Sequence, residues 1–384
     1  MKSKYIRIWA LLLSVVLLMA SGTVAADAAT AEAATVSASP CLNPADTGTA
    51  GTAPERVLVG GMPFGVKFQT EGILVVGFCD VDVTTGGGGC QNINPARTAG
   101  LKLRDVIVKV NGKAPVGAAS LTKAVEESGG KPVTLTVRRP TQAHTGKKQP
   151  EAGGHETELT VSVTPAYSAS ESRYKTGLWV RDSGAGIGTV TFIIPEGNAF
   201  AGLGHGICDG DTGELIPMQR GQVTDVTVSG VERGEAGDPG AIKGYFAPGK
   251  TGNLLGNTEC GVYGIFSARP ATAVKKLPVG RKEDLHEGDA TILCTLDNGK
   301  IGEYRIKITS IDRNATGSKC FTISVTDPTL IEKTGGIVQG MSGSPVCQDG
   351  KLVGAVTHVL ISDPTAGYGI FIENMLREMP EMLR

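Results

Sequence analysis

The sequence predicts a mainly β protein with two folded domains behind an export segment. Glycine is abundant, with 54 among 384 residues, whereas aromatic residues make up only 5%. Short apolar stretches alternate with turns that contain glycine, proline or asparagine. No sustained helical period precedes the last segment, Ile372 to Leu383. These three observations are typical of β-barrels and β-sandwiches.

The overall composition excludes several classes of protein. Apolar residues account for 40% and charged residues for 20%, which is ordinary for a globular chain. The net charge is −1, and no basic run is present, so we expect no nucleic-acid partner. The eight cysteines show no metal-ligand spacing. We therefore expect neither a metal nor another cofactor.

The N-terminus has the features of an export signal. Lys2, Lys4 and Arg7 precede an apolar segment, Ile8 to Ala20, and small residues follow up to Ala28. Residues 1–28 are therefore predicted to be a signal peptide, which would act as a membrane anchor if it is not cleaved. Residues 29–54 are rich in Ala, Thr, Ser and Pro and predict a linker.

Residues 55–165 resemble a PDZ domain. A short proline-started helix ends at Ala99-Gly100-Leu101, and a strand from Arg104 runs into the Asn111-Gly112 turn. Ser120 to Ser128 predicts an amphipathic helix. Polar residues from Pro140 to His155 predict a long hairpin tip between two strands.

PDZ domains bind a peptide as an added strand and often hold its terminal carboxylate in a backbone loop. The resemblance places that loop at six consecutive residues, namely Gly61, Met62, Pro63, Phe64, Gly65 and Val66. We expect either a peptide ligand or a segment of the protein's own chain to bind there. A domain that only packs against its catalytic partner is the alternative.

Residues 166–384 carry the candidate nucleophile. Gly340-Met341-Ser342-Gly343-Ser344-Pro345 precedes an apolar strand and is similar to the nucleophile loop of chymotrypsin-like serine proteases. Serine is a weak nucleophile, so the loop must present it to a base and direct N–H groups at the oxyanion. Gly340 and Ser342 would supply those donors. The strand spacing fits a trypsin-like double β-barrel.

Three histidines of this domain are candidates for the general base. His205 lies between glycines directly after a predicted strand, which leaves room for its ring to approach another loop. His286 lies in a charged segment typical of a solvated surface, and His358 could line the substrate cleft. His205 precedes Ser342, as the base precedes the nucleophile in trypsin-like chains, and is preferred.

The carboxylate that would orient the imidazole is less clearly marked. Asp327 lies shortly before Ser342 at the end of a predicted strand and is the natural third member. Trypsin places this residue further upstream, so Asp225 and Asp238 remain alternatives. The segment Asp209–Glu214 faintly resembles a calcium loop, but the full ligand spacing is absent, and a turn is predicted.

Several segments in one order resemble the SpoIVB peptidase family of endospore-forming Firmicutes. They are the export signal, the PDZ-like block, Gly177–Ser183, Leu203–Gly206, Pro239–Gly244, Thr334–Pro345, Gly354–Val359 and Asp363–Gly369. The resemblance covers nearly the whole chain after the signal. It implies the catalytic residues His205, Asp327 and Ser342.

The resemblance also implies a function. The chain would be an exported serine endopeptidase of sporulation that cleaves itself and a membrane-anchored regulator. That cleavage would release an intramembrane protease, which activates a late mother-cell sigma factor. The protein would cross the forespore membrane into the intermembrane space and work close to a membrane surface.

Two other functions fit parts of the sequence. A non-catalytic exported PDZ adaptor would need only the first domain, although the serine, histidine and aspartate candidates argue against it. A broad quality-control protease would usually place its PDZ domain after the peptidase, which is the reverse order. Met341 stands where trypsin-like zymogens carry an activating aspartate, so activation by a new N-terminus is not expected.

Overall fold

The structure, a computed structural model, describes residues 54–140, 156–272, 275–297 and 299–383. The predicted signal, residues 1–28, lies outside these ranges, as does the predicted linker except for its last residue. The predicted hairpin tip lies outside them apart from Pro140. Predictions on those segments therefore stay predictions.

The N-terminal half of the described chain alternates strands with two short helices. Its elements are β1 (Arg56–Val59), β2 (Pro63–Phe78), β3 (Val81–Thr84), β4 (Cys90–Ile93), α1 (Pro95–Thr98), β5 (Val106–Val110), α2 (Ala118–Glu127), β6 (Val133–Pro140), β7 (Glu156–Val163), β8 (Ala166–Ser168), β9 (Arg173–Lys175), β10 (Leu178–Ile193) and β11 (Ala199–Gly202).

The C-terminal half is also mostly strand. Its elements are β12 (Met218–Glu232), β13 (Ala241–Phe246), β14 (Gly252–Thr258), β15 (Gly261–Phe266), β16 (Lys276–Pro278), β17 (Gly288–Thr295), β18 (Ile301–Ile311), β19 (Phe321–Val325), α3 (Pro328–Thr334), β20 (Pro345–Gln348), β21 (Lys351–Leu360), β22 (Asp363–Phe371), α4 (Ile372–Glu378) and a 3₁₀ turn at Glu381–Leu383. The mainly β fold class is thus confirmed.

Two rings of paired strands form the peptidase part. The first ring closes in the order β2, β10, β11, β15, β14, β12 and back to β2, with every pair antiparallel. Three phenylalanines pack inside this barrel, and the side chain of Phe200 lies between those of Phe64 and Phe266. The second ring is a closed barrel of β17, β18, β19, β22, β21 and β20. The predicted double β-barrel is therefore present.

A smaller unit consists of the second half of β2, the strands β5, β6 and β7, and the helices α1 and α2. The second half of β2 pairs with β5, β5 pairs with β6, and β6 pairs with β7. Leu121 and Val125 of α2 pack with Ile107 and Leu135 in a core of their own. The sheet and both helices fall within residues 55–165, for which a PDZ domain is predicted.

The first strands of that predicted domain belong to the first barrel instead. Residues of β2 alternate between core and solvent, with Phe64, Val66 and Phe68 buried and Lys67 exposed. The three buried side chains pack in the core of the first barrel. Consequently the small unit has no core of its own before about Ile73, and β2 runs through both units.

The predicted peptide-binding loop, Gly61 to Val66, is not open to a ligand. Phe64 pairs with Gly188 of β10 on one side and with Asp225 of β12 on the other, and Val66 is likewise paired on both sides. Met62 is buried in the barrel core. Since a peptide can add only to an unpaired edge, these six residues do not form the predicted loop.

Two further properties concern the described residues only. None of their helices is long and apolar enough to span a bilayer. Their seven cysteines carry no disulfide bond, so Cys79 and Cys90, which lie on either side of the four consecutive glycines Gly86–Gly89, are not joined.

Candidate active site

The nucleophile loop is held by the first barrel. Thr189 of β10 donates its backbone N–H to the Ser342 carbonyl at 3.0 Å and its hydroxyl to the Gly340 carbonyl at 2.8 Å. Two residues along the strand, the Thr191 hydroxyl donates to the Gly343 carbonyl at 2.8 Å. Because the loop leads into β20 of the second barrel, it joins the two barrels at this point.

Helix α3 lies directly before this loop in the chain and sets where the loop begins. Asp327 caps its N-terminus and accepts the backbone N–H groups of Thr329 and Leu330, and Pro328 occupies the first turn. Gly335 ends the helix in the left-handed region, with φ of 77°. The loop then docks on Ile242, whose N–H donates to the Gln339 carbonyl at 2.8 Å.

The loop presents a hydroxyl and two open donors. The Ser342 hydroxyl donates to the Thr357 carbonyl at 2.8 Å. The backbone N–H groups of Gly340 and Ser342 donate to no group within the ranges that the structure describes. Gly340 has a φ of 95°, which favours glycine. Two neighbouring unpaired N–H groups beside a serine are what an oxyanion hole requires.

His205 faces the same cleft from the first barrel. The chain leaves β11 through Leu203 and Gly204, both with positive φ, and this turn directs the imidazole inward. Its Nδ1 lies 2.8 Å from the Gly206 carbonyl, which can only accept, so Nδ1 carries the proton and Nε2 is free to act as a base. Burial lowers the pKa of His205, and the Gly206 hydrogen bond offsets this only in part.

A second imidazole lies against the first. The ring centroids of His205 and His358 are 4.8 Å apart, with 36° between the ring planes. Burial, followed by the positive charges of His205 and Lys319, lowers the pKa of His358 to about 4. His358 is therefore neutral near pH 7 and places no charge of its own beside His205. Its position confirms that it lines the cleft.

Asp327 does not reach this cleft in the structure. Its carboxylate accepts the two N–H groups at the start of α3 and the backbone N–H of Arg305, and it lies 3.6 Å from the Arg305 side chain. Burial alone would raise the pKa of Asp327, but the hydrogen bonds outweigh it and the pKa is lowered. The predicted contact with His205 is absent because the carboxylate is used as a helix cap.

Neither of the alternative carboxylates contacts His205 in the place of Asp327. Asp225 and Asp238 are exposed, and neither forms a hydrogen bond or ion pair with His205. Asp209 is buried, pairs with Arg181 and accepts N–H groups of its own turn, as a turn residue would. Among the described residues there is no cluster of His, Cys, Asp or Glu that could hold a metal.

Variants of Asp327 distinguish between its roles as a helix cap and as the carboxylate that orients His205. Asp327→Asn is expected to keep kcat within about tenfold, because asparagine caps helices as well as aspartate does. Asp327→Ala should lower the free energy of unfolding by about 1 kcal/mol through loss of the cap. Steady-state kinetics and thermal unfolding measure both effects. A loss of about 10⁴-fold in kcat for Asp327→Asn, at normal stability, would instead make it the orienting carboxylate.

The cleft itself has walls from both barrels. It has a volume of about 1010 Å³ and contains Ser342, Gly340, His205 and His358 together with the segment Gly184–Gly188 of β10. Sequence reasoning missed the two threonines, Thr189 and Thr191, that hold the nucleophile loop. Their spacing of two in a strand places both hydroxyls on one face, which is the signal that could have identified them.

Two barrels with a serine, a histidine and an open pair of N–H groups in the cleft between them define a serine endopeptidase of the double-β-barrel class. A model of the family described as SpoIVB peptidase S55 matches residues 172–376, more than half of the chain. The chain therefore belongs to the SpoIVB peptidase family and is a sporulation serine peptidase, as the sequence resemblance implied. No curated protein matches it.

Proposed function

We propose that this peptidase signals by limited proteolysis, cleaving itself and a membrane-anchored regulator after export from the forespore. Cleavage of the regulator would release an intramembrane protease and so activate a late mother-cell sigma factor. The observation that carries the catalytic part is the joint position of Ser342, His205 and two unpaired N–H groups in one cleft. Family membership supports the biological part.

The proposed chemistry is acyl transfer. His205 Nε2 takes the proton of the Ser342 hydroxyl, Ser342 attacks the peptide carbonyl, and the N–H groups of Gly340 and Ser342 stabilise the oxyanion. The hydroxyl must first turn away from the Thr357 carbonyl, which accepts it in the structure. The Gly206 carbonyl holds the imidazole in the required tautomer, a role that a carboxylate has in trypsin.

The pH dependence of hydrolysis tests this arrangement. The acid limb of kcat/KM is expected below pH 6.5, because burial lowers the pKa of His205 and the neutral imidazole is the base. Lowering that pKa keeps the base active toward more acidic pH. The pH dependence of kcat/KM, measured with the purified chain, gives the position of this acid limb. A limb at about pH 7 or above would indicate an anionic partner on His205, since a carboxylate raises the pKa of histidine.

Limited and general proteolysis are distinguished with two substrates. The tagged Ser342→Ala chain and unfolded casein are each incubated with the wild-type chain, and the products are mapped by mass spectrometry. We expect cleavage of the tagged chain at a few sites and little digestion of casein. Extensive digestion of casein would favour the quality-control alternative. Hydrolysis of neither substrate, without labelling of Ser342 by a fluorophosphonate, would favour the adaptor.

The membrane-anchored target can be identified by comparing the wild-type chain with Ser342→Ala. Membranes from sporulating cells are incubated with the wild-type chain or with Ser342→Ala, and new N-termini are identified. The proposal predicts a small number of sites, in the extracytoplasmic part of membrane proteins, that appear only with the wild-type chain. Sites confined to proteins without a membrane segment would contradict it.

A further inference from the structure

We propose that this peptidase cleaves after residues with small, uncharged side chains, because Ile337 occupies the space into which a larger side chain would have to extend. The inference rests on the proposed function, since it assumes that Ser342 attacks a peptide bond in this cleft. It specifies the substrate class of that site, namely peptides with glycine, alanine or serine directly before the scissile bond.

The oxyanion donors determine where this side chain must lie. The N–H groups of Gly340 and Ser342 would hold the carbonyl oxygen of the residue before the scissile bond. The side chain of that residue begins one carbon atom from the carbonyl, so it enters the protein beside the nucleophile loop. Residues 336–339 precede the loop there, and β21 carries Thr357, whose carbonyl accepts the Ser342 hydroxyl at 2.8 Å. A pocket for a large side chain would have to open between these two segments.

Backbone contacts close this space from one side. The N–H of Ile337 donates to the carbonyl of Pro364 at 2.7 Å. Pro364 belongs to β22, which follows β21 in the chain and pairs with it. A Cβ at Gly336 would lie 2.1 Å from the same carbonyl oxygen, so a glycine is required for the approach. The chain before the nucleophile loop is thus bonded directly to the hairpin of β21 and β22.

The side chain of Ile337 fills the rest of the space. It is buried in the core of the second barrel, and Val359 of β21 packs against the same core. Gly367 of β22 lies opposite Val359 in the ladder. A Cβ at Gly367 would lie 2.5 Å from Cδ1 of Ile337, so the isoleucine side chain reaches across to β22. Protein atoms therefore occupy the place that a long substrate side chain would need.

The extent of the cleft agrees with this filling. Gln339 and His358 line it, whereas Ile337 and Val359 do not, although the structure describes all four residues. A pocket that opened between the two segments would be lined by all of them. On the side of the second barrel, the cleft therefore ends at the nucleophile loop. This leaves room beside Ser342 for a small side chain only.

The charges at this end of the cleft do not favour a charged side chain. His358 is neutral near pH 7. Lys319 also lines the cleft, and its ammonium group lies 5.1 Å from the centre of the Tyr368 ring, opposite His358 in the ladder. A basic side chain would be repelled by Lys319. An acidic one would meet Lys319 where it is exposed, and exposed ion pairs contribute little.

The test compares peptides that differ only in the residue before the scissile bond. The peptide of an unbiased library that the wild-type chain cleaves fastest is resynthesised with glycine, alanine, serine, leucine, phenylalanine, arginine or aspartate at that position. We expect kcat/KM to be at least about 100-fold higher for alanine than for leucine or phenylalanine, because each methylene group that does not fit costs roughly tenfold or more. An equal or higher kcat/KM for a large or charged residue would overturn the proposal.

Variants of Ile337 give an independent result. Ile337→Ala makes room beside the nucleophile loop, so the ratio of kcat/KM for the leucine peptide to that for the alanine peptide should rise about tenfold. Ile337→Val removes only Cδ1, the atom closest to the Cβ position of Gly367, and should raise the ratio by a smaller factor. Since this change costs little stability, it keeps the test decisive if the alanine variant does not fold.

A buried isoleucine elsewhere in the same core is the matched control. Ile308 lies on β18, which pairs with neither β21 nor β22. Ile308→Val removes the same methyl group and should leave the ratio at its wild-type value, even if both rates fall together. An unchanged ratio in the Ile337 variants, or the same rise in Ile308→Val, would contradict the proposal.

Fluorophosphonate labelling of Ser342 in the wild-type chain tests the nucleophile separately. A labelled chain that cleaves best after a large or charged residue would overturn the inferred preference alone. A chain that is not labelled and cleaves no peptide of the library would overturn the proposed function, and the inference with it.

Discussion

Replacing Ser342 with alanine is expected to lower kcat/KM for peptide hydrolysis by at least about 10⁴-fold, because it removes the hydroxyl that lies beside the two unpaired N–H groups and would form the acyl intermediate. The hydroxyl makes one hydrogen bond, to the Thr357 carbonyl, and the loop is held by its backbone. The variant should therefore fold normally. Kinetics and thermal unfolding of the purified chains measure both effects.

A second serine in the same loop provides the control. Ser344 is fully buried, and its hydroxyl has no hydrogen-bond partner among the described residues. Ser344→Ala removes an unsatisfied polar group, so we expect unchanged hydrolysis and equal or slightly higher stability. Normal turnover in Ser342→Ala, or its loss in Ser344→Ala alone, would move the nucleophile to another residue.

The largest effect on stability is expected for Gly343→Ala. Gly343 has a φ of 93°, and a Cβ there would lie 2.0 Å from the Thr189 carbonyl oxygen and 2.5 Å from the Leu203 nitrogen. These atoms belong to the backbone of β10 and of the turn before His205, so they cannot move without opening the first barrel. The cost should exceed about 4 kcal/mol. The midpoint of thermal unfolding would fall by roughly 10 °C.

Gly350→Ala is the matched control for that clash. Gly350 also has a positive φ, of 74°, but nothing lies within 4 Å of the position of its Cβ. Only the conformational cost of about 1 kcal/mol applies. The difference between the two variants therefore measures the close approach of the nucleophile loop to β10. Similar unfolding midpoints for both would show that the loop can shift away from the barrel.

Local motifs predicted the parts of this protein whose geometry is local. The nucleophile loop from Gly340 to Pro345 and the glycine-flanked His205 follow from short patterns, and both lie in one cleft. The regular spacing of strands predicted barrels, since alternation of buried and exposed residues depends only on the strand itself. Which strands pair with one another is decided by distant residues.

Two predictions failed, and only the first of them for that reason. The segment Pro63-Phe64-Gly65-Val66 has the alternation of any strand, and nothing local shows that β10 and β12 occupy both of its edges. Asp327 is different, because the sequence did contain the relevant signal. An aspartate followed by Pro328 is typical of a helix N-cap. Its position before the nucleophile loop led to the catalytic interpretation instead.

The course of β2 limits how this protein can be divided. A chain beginning at residue 166 would lack the first half of β2, which lies between β10 and β12, and its first barrel would be left with two open edges. Such a fragment would expose the apolar interior around Phe200 and tend to aggregate. The small N-terminal unit and the first barrel thus share one strand, and a nick within β2 would disrupt the barrel although it leaves the nucleophile loop and the turn before His205 uncut.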